Sequence, residues 1–166
     1  VSGSLKGLSP DFLRFARSLG ETTGTVALFS YGTRLTRLTA ALIDGSLDRA
    51  LRRVSARIED FEGGTQIGAS LNAFLDHRQH AGLARGAVVV ILSDGLERGD
   101  PAPLRHAVQR LSRLSERLVW LTPLKRDGAY RPVTRAMAAV APYLDHIGGA
   151  ASLEALAAHI PEWTRP

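Results

Sequence analysis

The chain has 166 residues, 45% of them hydrophobic and 22% charged, with no cysteine and a formal net charge of +5. This length suits one domain with a full core, and the composition excludes disordered and fibrous classes. The lack of cysteine excludes disulfides, thiolate metal sites and a cysteine nucleophile within these residues. The excess of 21 Lys plus Arg over 16 Asp plus Glu is scattered, with no basic run and few aromatics on which bases would stack. It predicts a solvated arginine-rich surface and no nucleic-acid partner.

In chain order, Val1 to Ser4 place two hydroxyls, Ser2 and Ser4, on a glycine-containing loop ahead of a helix signal. Ser9 reads as an N-cap, Pro10 takes the first helical position, Leu8 staples against Leu13, and Gly20 is expected to end the helix. Thr25 to Ser30 reads as a buried strand, and Arg34 to Thr39 alternates like a strand nearer an edge. Tyr31-Gly32-Thr33 between them suits a tight turn. Ser46 to Phe61 has an apolar face and opposing arginines, which predicts a helix. Gly63-Gly64-Thr65 breaks it, and Ile67 to about His80 resumes a helix.

Gly86 to Asp94 contains six consecutive apolar residues, Ala87 to Leu92. That run is far too short to cross a bilayer and is expected of a central parallel strand. Leu104, Val108, Leu111, Leu114 and Leu118 mark an amphipathic helix, and Leu118 to Pro123 a further buried strand. Thr134 to Ala141, Tyr143 to Ile147 and Ser152 to Ala158 then read as helix, strand and helix. Strands separated by helices imply right-handed crossovers. The expected fold is a single α/β domain over residues 1–166: a doubly wound, mostly parallel open sheet with helices on both faces. No span and no signal peptide are read in these residues, so the expected location is the cytoplasm.

In such sheets ligands gather beyond the carboxyl ends of the strands. Three polar loops fall there: Ser2-Gly3-Ser4, Gly63-Gly64-Thr65 and Ser93-Asp94-Gly95. They supply hydroxyls and a carboxylate, with no histidine or cysteine. Oxygen-only donors suit a hard divalent cation, Mg²⁺ above all. Thr65 also suits the N-cap of the helix after it, and Asp94 suits a turn residue capping the next helix. Glu97 and Asp100 flank the third loop and read as solvated loop carboxylates. His77 and His80 have zinc-compatible spacing but no further ligand. His106, His146 and His159 read as isolated, solvent-facing or capping residues. No catalytic set is evident: G-x-S-x-G, the P-loop and G-x-G-x-x-G after a strand are all absent from the sequence.

The chain resembles a von Willebrand factor A (VWA) domain, whose metal-ion-dependent adhesion site (MIDAS) reads D-x-S-x-S, then a threonine, then an aspartate. More narrowly it is similar to CoxE-like VWA proteins, on FSYGTRLTRLT (Phe29 to Thr39), GGTQIGASL (Gly63 to Leu71), GAVVVILSDGLERGDP (Gly86 to Pro101) and LVWLTPLK (Leu118 to Lys125). The resemblance implies that Ser2, Ser4, Thr65 and Asp94 hold Mg²⁺ (or Mn²⁺), with a partner carboxylate completing the coordination. It also implies that the motif's first aspartate, and the central strand bearing it, belong immediately before Val1. The implied role is non-enzymatic: a module acting with a MoxR-type AAA+ ATPase in maturation or remodelling of a client metalloenzyme. A molybdenum hydroxylase or carbon monoxide dehydrogenase is such a client. The alternative is a Mg²⁺-dependent phosphoryl-transfer or hydrolase domain using Asp94, which would want two or three carboxylates around the metal.

Overall fold

The computed structural model describes residues 9–23, 25–31, 35–40, 66–97, 99–125 and 134–159. The helix expected over Ser46 to Phe61, the Leu8 staple, and the loops bearing Ser2, Ser4 and Thr65 lie outside the described residues.

The first helix, α1, is Ser9–Thr23. It runs through Gly20, where the sequence predicted an end. A short antiparallel pair follows, β1 (Phe29–Ser30) and β2 (Thr36–Arg37), in the register Phe29↔Arg37 and Ser30↔Thr36. Of the buried strand expected over Thr25 to Ser30, only Phe29–Ser30 is strand. Thr25 and Ala27 are exposed while Val26 and Leu28 are half-buried, so only one side of this segment faces protein.

The single helix expected from Ile67 is two, α2 (Ile67–Asp76) and α3 (Arg78–Ala84), separated by an extended His77 at φ −86° and ψ 108°. Then come β3 (Val88–Leu92), α4 (Ala102–Leu114), β4 (Arg117–Thr122), α5 (Arg135–Val140), a 3-10 turn over Ala141–Tyr143, β5 (His146–Gly149) and α6 (Leu153–Ala157). Thr134 and Ser152 cap α5 and α6, their hydroxyls accepting from Met137 N and Ala155 N. Leu118, expected at the end of the amphipathic helix, belongs instead to β4.

The main sheet is parallel in the order β3-β4-β5, with Val88↔Arg117 through Leu92↔Leu121 and Val119↔His146 through Thr122↔Gly149 in register. Among the described strands, β4 is paired on both sides and β3 with β4 alone. Leu118 to Thr122 are all buried, whereas Val88 at the start of β3 is 36% exposed.

Side chains alternate along the strands into two separate cores. Ile91, Leu118 and Trp120 pack with α2, α4 and α5 on one face. Val119 and Leu121 pack with Phe12, Phe15 and Leu156, from α1 and α6, on the other. The period-2 geometry of a strand places consecutive residues on opposite faces, so a sheet apolar at every position demands helices on both sides. That is the doubly wound α/β arrangement expected from the sequence.

Candidate metal centre

The carboxyl end of β3 delivers Ser93 and Asp94, which are 1% and 3% exposed. The turn there is held by its own side chains. Ser93 Oγ accepts from Gly95 N at 3.1 Å, and Asp94 Oδ1 accepts from Leu96 N at 3.1 Å. Asp94 thus closes a turn and does not cap the next helix, which begins at Ala102, while its carboxylate stays buried at the sheet's edge. The neighbouring strand supports the same turn: Trp120, fully buried on β4, donates its indole N–H to the Ser93 carbonyl at 3.1 Å. Lys125, at the end of the same segment, donates Nζ to the Ile147 carbonyl at 2.7 Å. The stretch LVWLTPLK therefore ties β4 to both neighbouring strands at the edge where the loops gather.

Tyr31, expected in a polar turn, instead packs against the core beside α2 and α4. Its hydroxyl donates to the Leu92 carbonyl at 2.7 Å, one residue before Ser93. Burial pushes the phenol pKa up; a hydrogen bond with Ser93 opposes this, and the nearby negative charges of Asp94 and Glu97 add to it. Tyr31 therefore stays a neutral donor anchoring the β1–β2 turn to the site.

Glu97 is half-buried and bonded to backbone, unlike the solvated loop carboxylate expected, while Asp100 is exposed as expected. Glu97 Oε2 accepts from Ile67 N at 2.7 Å, and Gly68 N lies 3.3 Å from Oε1 and 3.4 Å from Oε2. Loss of water around this carboxyl pushes its pKa up, against the pull of the two backbone donors. Asp100 Oδ1 accepts from Ala102 N at 2.9 Å and caps α4. One loop, 93–101, therefore closes the turn after β3, reaches the start of α2 and begins α4.

Of the four residues proposed for the metal, Asp94 lies where the sequence placed it, while Ser2, Ser4 and Thr65 lie outside the described residues. The helix after Thr65 starts at Ile67 with Gln66 in the N-cap position; Gln66 provides no side-chain cap, and Glu97 supplies that function. The donor described here, the buried Asp94 carboxylate with one oxygen bonded to Leu96 N, is of the oxygen type that a hard cation takes. No group of three or more His, Cys, Asp or Glu side chains with metal-binding geometry occurs among the described residues.

The histidines behave differently from expectation. His77 and His80 stack ring on ring, centroids 4.0 Å apart, with His80 also against Phe29 and Phe74. Stacked rings aim their nitrogens in parallel, not at a common point, which does not suit a shared zinc. His146 and His159 are half-buried neighbours at 5.1 Å, with His159 Nε2 3.1 Å from the Gly149 carbonyl oxygen. His106 is exposed, as expected.

A doubly wound sheet with an acidic turn on its carboxyl edge, flanked by helix starts, is the frame of a VWA-type module. The family model described as "VWA domain containing CoxE-like protein" matches residues 1–156. The chain belongs to this CoxE-like VWA family. Among solved structures it is similar to a "von Willebrand factor type A from Catenulispora acidiphila", with 17% identity and a TM-score of 0.58. That match covers 97% of this chain and 39% of the other, and it supports the fold. No curated protein matches the chain. No helix among the described residues is long and apolar enough to cross a membrane.

Proposed function

We propose that this chain is a non-enzymatic, metal-dependent protein-binding module. Ser2, Ser4, Thr65 and Asp94 hold Mg²⁺ (or Mn²⁺), and a carboxylate on a partner protein completes the coordination. The observation that carries this reading is Asp94, a carboxylate only 3% exposed and held at the carboxyl end of β3. It sits in a chain of the CoxE-like VWA family. When bound, the ion supplies an electrophilic bridge between two proteins. The chain's residues bind it, orient it and exclude water around Asp94. The partner in this reading is a MoxR-type AAA+ ATPase, which performs work on a client metalloenzyme such as a molybdenum hydroxylase or carbon monoxide dehydrogenase, in the cytoplasm.

Thermal unfolding with and without millimolar Mg²⁺ or Mn²⁺ tests the metal site, with Asp94→Ala as control. A ligand that binds only the folded state raises stability by RT ln(1 + [L]/Kd), about 2.7 kcal/mol at a hundredfold excess over Kd. Stabilisation of the wild type, abolished in Asp94→Ala, supports the site. An identical response of both proteins refutes it. Pull-down of a MoxR-type ATPase with Mg²⁺, against the same assay with EDTA, tests the partner.

A further inference from the structure

Glu97 performs a task that neither the proposed ligand set nor the family match assigns. It stands three residues beyond Asp94, yet its carboxylate contacts backbone thirty residues earlier in the chain. The helix it reaches is the one that follows Thr65. That helix obtains no cap from Gln66, so Glu97 alone satisfies the amides of Ile67 and Gly68 among the described residues. The amide end of a helix favours a negative partner.

The surroundings make this contact rigid. A Cβ on Gly68 would lie 2.5 Å from Leu104 N and 2.9 Å from Leu104 Cα, so α2 and α4 meet backbone to backbone at this point. Asn72 holds the same junction, donating to the carbonyls of Gly68 at 2.9 Å and Pro103 at 3.1 Å. The loop bearing Asp94 and the start of α2 are therefore joined through the Glu97 side chain against a fixed support.

Resting on the metal-site reading above, we propose that Glu97 is a positioning residue. Its carboxylate straps the Asp94 loop to the start of α2, and thereby fixes where Asp94 stands for the ion. Its reach matters more than its charge. Side chains that orient metal ligands typically cost 10- to 100-fold in metal affinity when removed.

The test is Mn²⁺ and Mg²⁺ affinity by calorimetry for the wild type, Glu97→Gln, Glu97→Asp, Glu97→Ala and Asp100→Ala, with each variant's unfolding midpoint measured in EDTA. Glu97→Gln keeps the reach and an acceptor oxygen but loses the charge; Glu97→Asp keeps the charge and loses the reach. The expected result is near-wild-type affinity for Gln and about tenfold or greater weakening for Asp and Ala. Asp100→Ala removes another cap from the same loop and should leave affinity unchanged. The opposite order, Gln weak and Asp strong, would mean long-range attraction to the ion and overturn the proposal. Equal affinity in all Glu97 variants would make Glu97 a helix cap only, and equal weakening in Asp100→Ala would make the effect general loosening; either overturns it. If Glu97→Ala does not fold, the Gln and Asp pair decides alone. Absence of metal binding in the wild type sinks the metal reading itself, and the positioning role with it.

Discussion

Gly95 has a φ of 72°, and a Cβ there would stand 2.5 Å from both Cγ and Sδ of Met137. Gly86 has a φ of 65°, with nothing within 4 Å of a Cβ. The two positions separate backbone strain from crowding. Gly86→Ala should cost about 1–2 kcal/mol from the left-handed backbone. Gly95→Ala should add a further ~1–3 kcal/mol of overpacking against Met137. Urea unfolding of the two variants measures the difference, and equal losses would show that Met137 swings away freely.

A second prediction at this scale concerns His80, whose Nδ1 is buried without a hydrogen-bond partner among the described residues. Burial pushes its pKa below the ordinary 6.5, and the neighbouring His77 and Arg37 add to that. The neutral ring is therefore favoured in the fold. Its contribution to stability is present above 6.5 and is lost as pH falls below that value through the depressed one. His80→Phe should flatten the decline in unfolding midpoint between pH 7 and pH 5; unchanged slopes would place the decline elsewhere.

Asp94 was legible in the sequence because a polar turn directly follows the apolar run of β3. Tyr31 and Glu97 were not, because their partners lie 61 and 30 residues away. A carboxylate in a glycine-rich loop looks solvated until the fold brings a helix start to it.

Among elements, β3 and β4 were readable from their apolar runs, α4 from its amphipathic period and α6 from its Ser152 cap. The break between α2 and α3 was not, since neither glycine nor proline marks His77. The ring contacts of His80 with Phe29 and Phe74 are tertiary, and tertiary packing overrides local propensity. A third prediction follows from two of the helical glycines, Gly68 and Gly82. At Gly82, on α3, a Cβ meets nothing within 4 Å, so Gly82→Ala should stabilise by up to about 1 kcal/mol. At Gly68 the same methyl would strike the backbone of Leu104, which has no rotamer to change. Gly68→Ala should destabilise by ~1–3 kcal/mol despite its better helix propensity. Denaturant midpoints decide the signs, and a gain at both positions would mean that α2 and α4 part easily.

For the whole molecule, the sheet divides the interior into two cores that share strands but not side chains. Ile67 and Leu71 sit in the core beneath α2 and α4, and Leu156 sits in the core beneath α1 and α6. The proposed metal centre is bordered by elements of the first core, since both the start of α2 and the start of α4 are set by the 93–101 loop. Damage to the second core should therefore lower stability without disturbing the site. Ile67→Val should cost about 0.5–1.5 kcal/mol and Leu156→Ala ~2–5 kcal/mol. Combined, they should add to within about 0.5 kcal/mol, because among the described residues no buried side chain belongs to both clusters. Ile67→Val with Leu71→Ala, one helical turn apart in a single core, should depart from additivity, since the cavity left by one changes how the other site collapses. Urea unfolding of the singles and doubles reads this directly. Coupling between Ile67 and Leu156 as large as that between Ile67 and Leu71 would show that the sheet transmits packing strain from face to face. In that case the helices on the far side, too, would tune the geometry around Asp94.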